Sequence, residues 1–366
     1  MKPIQKDNKR FLFSFPSKLW AIATLIVVLG ACIDNFDPEL TGDKASIVFE
    51  GTLTNQPAPH IFQLSFSAGY NSKESVFDRF VNAAKVWVTD EANKRTDLID
   101  LNRGQFATPD GFRGQIGKSY QLHIRLSDGV EYESSPEMMR PAPPIDKVYT
   151  EFKPITTPKA QYRGMFNVYL DVKDPNTEGD FYRWNWKHYE KASYCEFWTQ
   201  PNTVPPARWF KKCCEDCWNI TPCLGCVNVA SDNLVNGRTL AKQNVGQIPY
   251  DDTTPYYLLI DQMSLSRDAY NFWRSVDAQA NNSGGIFDTA PAPIRGNIRN
   301  IKDAEDLVLG YFQVSAVTQK AVYIQRDNIT VKPFSSGLGN FPFWPECIPC
   351  KEGPYRTGIR PLDWRD

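Results

Sequence analysis

The sequence predicts a mainly β protein: two β-sandwich-like domains, immunoglobulin-like or transthyretin-like, with a small helical region stapled by disulfides. Three observations lead there. Apolar and polar side chains alternate in short runs bounded by turn residues, the period of antiparallel strands with one buried face. A single stretch late in the chain changes to a helical period. Eight of the nine cysteines crowd into the second half, where aliphatic residues thin out and covalent links can replace burial. Composition agrees: 42% hydrophobic and 23% charged residues over 366 positions describe a globular chain long enough for two or three cores.

The chain opens on a cationic stretch (Lys2, Lys6, Lys9, Arg10, Lys18) and an apolar run from Trp20 to Leu29. That run is too short to span a bilayer and reads as a secretory signal. Leu29-Gly30-Ala31-Cys32 puts a small residue before a cysteine. It resembles the bacterial lipobox, in which the cysteine thiol is diacylated and the preceding peptide removed. Residues 1–31 are therefore expected to be a lipoprotein signal peptide and 32–44 a lipidated tether. Acyl chains on Cys32 would hold the protein to a membrane, each buried methylene contributing roughly 0.8 kcal/mol. No other cofactor is expected.

Strands follow. Ile47-Val48-Phe49, then Phe62, Leu64 and Phe66, then Ala84, Val86 and Val88 alternate. Tyr120 to Leu126 turns at Ser127-Asp128-Gly129 into Val130 and Tyr132. These runs predict an N-terminal sandwich over 45–140, closed by Pro141-Ala142-Pro143-Pro144 as a stiff, extended linker. A second β-rich domain is expected over 145–366. In it Phe166, Val168, Leu170 and Val172 alternate, Asp174 to Gly179 turns, and Tyr182, Trp184, Trp186 and His188 share one face of the return strand. A cysteine-rich insert, Cys195 to Cys226, a hairpin at Asn236-Gly237 and a buried strand from Tyr256 to Ile260 come next. Leu265, Ala269, Phe272, Trp273, Val276 and Ala280 then lie on one face of a helix near 265–281, ended by Ser283-Gly284-Gly285. Leu307–Val317 and Ala321–Ile324 read as strands joined by a turn at Thr318-Gln319-Lys320, and the tail from Phe341 as irregular but stapled.

Past a secretion signal, an even cysteine count reads as a disulfide framework: Cys195, Cys213, Cys214, Cys217, Cys223, Cys226, Cys347 and Cys350. Connectivity stays open, since eight cysteines allow about 105 pairings. Cys214-x-x-Cys217 and Cys223-x-x-Cys226 also have zinc-knuckle spacing, but the five residues between them are few for a zinc ribbon and no His lies in the cluster. Asp174-Pro175-Asn176-Thr177-Glu178-Gly179 resembles the first half of a calcium loop. The bidentate Glu expected six positions later is Asn185, so a plain turn is expected and no metal is assigned.

No hydrolase, kinase or nucleotide-binding pattern is present, and His60, His123 and His188 are expected to be structural, so the chain is not expected to be an enzyme. The leader carries five Lys/Arg against one Asp, leaving an acidic mature chain with no basic face for nucleic acid. Trp184, Trp186, Trp198, Trp209, Trp218 and Trp273 crowd into one third of the chain. Exposed, they would suit a sugar or a protein interface; for Trp184, Trp186 and Trp273 a buried core is expected. Asp288-Thr289-Ala290 resembles a short O-glycan acceptor pattern, which makes Thr289 a candidate glycosylation site.

Five stretches carry a wider resemblance: Ile47-Val48-Phe49-Glu50-Gly51, Gly117-Lys118-Ser119-Tyr120-Gln121-Leu122, Cys213-Cys214-Glu215-Asp216-Cys217-Trp218, Ser283-Gly284-Gly285-Ile286-Phe287-Asp288 and Leu309-Gly310-Tyr311-Phe312. In this order they resemble a family of Bacteroidota outer-membrane lipoproteins classified only as a domain of unknown function, often encoded beside SusC-like TonB-dependent receptors. The resemblance implies an outer-membrane address, a lipid anchor and a β-barrel partner, and it supplies no reaction. Asp34, Asp37 and Glu39 after Cys32 resemble the signal that sends such lipoproteins to the extracellular face. The expected role is a non-catalytic surface lipoprotein, an accessory subunit of a TonB-dependent transporter or another outer-membrane complex. The alternatives are a surface protein that captures a glycan or peptide, and an extracellular accessory of an assembly or secretion barrel.

Overall fold

The computed structural model describes residues 45–68, 79–157, 160–192, 194–198, 208–233, 236–281, 292–334 and 343–365. Cys32, Thr289 and the expected signal and tether lie outside them. Ala45–Asp366 forms one compact unit.

Ahead of the proline segment run β1 (Ile47–Thr54), β2 (Ile61–Phe66), β3 (Lys85–Asp90), β4 (Arg95–Asp97), β5 (Ile99–Asn102), β6 (Gln105–Ala107), β7 (Ser119–Arg125), β8 (Glu131–Ser134) and β9 (Glu137–Met138). Then come β10 (Ile145–Pro154), β11 (Gly164–Lys173), β12 (Phe181–Lys191), β13 (Tyr194–Trp198), β14 (Arg208–Cys213), β15 (Trp218–Pro222), β16 (Asn228–Ser231), β17 (Thr239–Pro249) and β18 (Tyr256–Leu265). After α1 (Arg267–Ala280) the chain adds β19 (Ile298–Asn300), β20 (Val308–Gly310), β21 (Gln313–Ser315), β22 (Val317–Ile324), β23 (Phe343–Ile348) and β24 (Arg356–Thr357). The protein is mainly β, and its sheets make two sandwiches.

In the first sandwich a sheet of order β20-β1-β2-β6-β5, with β21 also on β1, faces one of order β19-β8-β7-β3-β4, with β9 on β7. Alternation puts Phe49, Leu64, Val88 and Leu122 into one shared core. In the second, β10-β11-β17 faces β22-β18-β12-β15-β24, with β16 on β12, around Val168, Leu170, Trp184 and Ile260. A small sheet, β13-β14-β23, carries part of the cysteine insert.

The structure departs from the sequence expectations in four places. Residues 298–315, expected in the second domain, complete the first sandwich: β20 and β21 run parallel to β1, and β19 pairs with β8. Phe312 packs into that core, 6.1 Å from Phe49 and 6.3 Å from Phe62 between ring centres. Gly310 makes the approach possible, because at φ +90° a Cβ there would sit 1.9 Å from the Phe49 carbonyl oxygen. Second, Thr318-Gln319-Lys320 is no turn; β22 continues through it opposite Asp261 and its neighbours on β18, whose hydrogen bonds outweigh the local polar signal. Third, the tail contributes β23 and β24, since pairing with β14 and β15 satisfies backbone groups that a sequence poor in alternation gives no sign of.

Fourth, the proline segment is extended but tied down. The Arg140 carbonyl accepts from Ser264 Oγ at 2.6 Å and the Pro143 carbonyl from Thr318 Oγ1 at 2.9 Å. The helix falls where expected. Ser266 caps it by accepting from the Ala269 N–H, and Asp268 in the first turn suits the helix dipole. Among the described residues no helix is long and apolar enough to cross a membrane.

Candidate functional site

The cysteines whose side chains are described are disulfide-bonded. Cys217 pairs with Cys350 and Cys223 with Cys226, and Cys213 and Cys214 are each in a disulfide. The side chains of Cys195 and Cys347 lie outside the described residues. The Cys223–Cys226 link closes a tight loop that holds Leu224 81% exposed.

Each histidine sits in a packed polar niche. His60 is bound between Thr54 Oγ1 and Thr108 Oγ1, His123 stacks on Trp87 beside Thr89 Oγ1, and His188 bonds the Tyr257 carbonyl and stacks on Tyr256. Burial lowers the pKa of all three, so they are neutral at physiological pH. Trp184, Trp186 and Trp218 are buried, and Trp184 Nε1 donates to Gln262 Oε1 at 2.9 Å. These tryptophans form core, not a sugar platform. The side chains of Trp198 and Trp209 lie outside the described residues.

α1 leans on both sandwiches. Trp273 on it donates through Nε1 to Gln313 Oε1 of β21 at 2.6 Å, and the Arg183 guanidinium of β12 stacks 3.5 Å above the same indole. Burial pulls Arg183 down to about 10. Beside α1 opens a groove of about 690 Å³, lined by Asn271, Phe272, Arg295, Asn297, Asp306 and Tyr311 among others. Behind its wall Glu137 is buried: Oε1 accepts from the Tyr311 hydroxyl, Oε2 has no partner, and burial raises its pKa.

A second polar cluster closes one end of the second sandwich. The alternation that buries Leu170 and Val172 on β11 carries one step further to Asp174, which is 2% exposed. Asp180 enters β12, and Asp232 leaves β16 directly across the ladder, its N–H donating to the Asp180 carbonyl at 3.1 Å. One carboxylate oxygen from each lies within 4.8 Å of the others. Asp174 accepts from the Tyr182 hydroxyl at 2.7 Å and from Gly237 N–H at 3.2 Å; Asp180 accepts from Thr177 Oγ1. Burial first, then the charges of Asp174 and Asp232, raise the pKa of Asp180. Sequence spacing singled out Asp174 alone. Asp180 and Asp232 are joined to it by strand pairing across a long insert, which no local motif records.

The chain belongs to the family described as Domain of unknown function (DUF4249), whose model matches residues 33–321. That span takes in the first sandwich, the helix and the second sandwich as far as most of β22, and leaves out β24. No curated protein matches the chain.

Proposed function

We propose that the protein is a Bacteroidota lipoprotein, anchored through acyl chains on Cys32 to the extracellular face of the outer membrane. It serves without catalysis as an accessory subunit of a β-barrel complex, a SusC-like TonB-dependent transporter first, an assembly or secretion barrel second. The observation that carries this is the lipobox Leu29-Gly30-Ala31-Cys32, which runs into the family match at residue 33 and the compact unit at Ala45. The first sandwich supports a docking role. β5 ends its sheet, and Ile99 and Leu101 on it stay 50% and 46% exposed, an open apolar edge of the kind another chain covers.

The groove beside α1 favours a second reading, capture of a small ligand such as a peptide or glycan, because it joins Phe272 and Tyr311 to several hydrogen-bonding groups. Affinity purification of the tagged lipoprotein from detergent-solubilised outer membranes, with mass spectrometry of what co-purifies, separates the two. A stoichiometric barrel is expected, and its type chooses between uptake and assembly or secretion. Recovery of the lipoprotein alone, under conditions that keep other envelope complexes whole, overturns the subunit reading in favour of ligand capture.

A further inference from the structure

Three carboxylates meet where the two sheets of the second sandwich end, and among the described residues no cationic side chain pairs with them. Asp180 and Asp232 face each other across the extended β12–β16 ladder, a placement in which like charges repel. Asp174 reaches them from β11 in the opposite sheet. Among the described residues none of the three is in an ion pair; Arg140 acts on Asp180 through its charge without forming one.

Asp232 supplies the decisive observation. Its side chain is 1% exposed, and while Oδ2 accepts from Gly179 N–H at 3.1 Å, Oδ1 is buried without any donor. A carboxylate taken from water keeps its charge when it is paired or coordinates a cation. Here the hydrogen bonds are spent on the other oxygens, and the charge of the set is unbalanced.

We propose that Asp174, Asp180 and Asp232 form a calcium site that clamps the two sheets of the second sandwich together. The donor set is all oxygen, which suits a hard cation better than zinc or copper. Ligands about 2.3–2.6 Å from an ion lie at most about twice that distance apart, and the three oxygens, all within 4.8 Å, meet this limit. Magnesium, at about 2.0–2.1 Å with near-ideal octahedral demands, tolerates less departure from regular geometry than calcium does. The Tyr182 hydroxyl and the Gly237 N–H hold the Asp174 carboxylate, and Thr177 holds that of Asp180, so the ligands are oriented before the ion arrives. Each bonded oxygen retains a lone pair for the metal.

The test uses the full chain in detergent, stripped with EDTA and exchanged into metal-free buffer. Calcium chloride is titrated to about 10 mM, above the range of extracellular calcium modules, with heat and thermal unfolding recorded. Terbium serves as a luminescent stand-in, sensitised by Tyr182, whose hydroxyl touches Asp174. One saturable site is expected, with a Tm that climbs with calcium and far less with equal magnesium. Asp232→Asn and Asp180→Asn should each weaken binding at least about tenfold and remove the calcium-dependent Tm shift and the terbium signal. Asp180 is partly exposed, so its variant decides the matter if Asp232→Asn fails to fold. No saturable heat and no Tm shift in the wild-type chain, or an undiminished shift in Asp180→Asn, overturns the proposal.

Discussion

The first sandwich and the cysteine-bearing edge of the second are held together by different means. The first has a broad core, Phe49, Phe62, Leu64, Val88, Leu122 and Phe312 among its members, and among its described residues no disulfide. Around the insert, the buried cluster among the described residues is Ala192, Cys213 and Cys217, with Cys350 packed against it. Where a segment can bury aliphatic and aromatic surface, hydrophobic transfer closes it; where it cannot, cross-links restrict the unfolded chain instead.

The largest test of this contrast is Phe312→Ala. Phe312 is fully buried against Phe49 and Phe62, and its loss should cost about 4 kcal/mol, read as a lower denaturation midpoint. Next comes the Cys217→Ala/Cys350→Ala pair, expected to cost about 3 kcal/mol. Limited proteolysis of that variant should first cut within 192–226 and 343–365, leaving the first sandwich whole. Cleavage appearing first in β1 or β7 would erase the distinction. Ser266→Ala acts on the helix that leans on both sandwiches and removes a side-chain cap, for about 1 kcal/mol by the same denaturation measurement.

Smallest is a change of slope with pH. Burial raises the pKa of Glu137, so the folded chain holds a proton that the unfolded chain releases. Its contribution is full below the ordinary carboxylate range and fades as pH rises through the raised value. Stability should therefore fall over that window, and Glu137→Gln should flatten part of the fall. Asp180 and Asp261, raised in the same direction, keep the remainder.

Strand-forming alternation was legible where one buried face alternates without a break, as in Phe166 to Val172 or Tyr182 to Trp186, and not in β17, whose irregular register breaks the period. The helix was legible too, although Leu265 of its expected stripe ends β18 and Ala280 is exposed. The partners of each strand were not. Nothing in Leu309-Gly310-Tyr311-Phe312 announces that it lies along β1, because pairing is a property of the folded sheet and the residues carry no local sign of it. The same holds for the acid cluster. Asp174 lies in a suggestive turn, but Asp180 and Asp232 become its neighbours only through ladder register.

The parallel pairing of β1 with β20 and β21 also bears on how the chain can fold. Val317 donates to the Asn55 side chain across 262 positions of sequence, and the strands just before it line β1. Contacts so distant in sequence close late and slowly. A chain emerging N-terminus first carries β1 with one edge unpaired until nearly the last strand is delivered. During that interval the exposed edge is open to wrong partners, the hazard that makes slow β topologies depend on being held by chaperones.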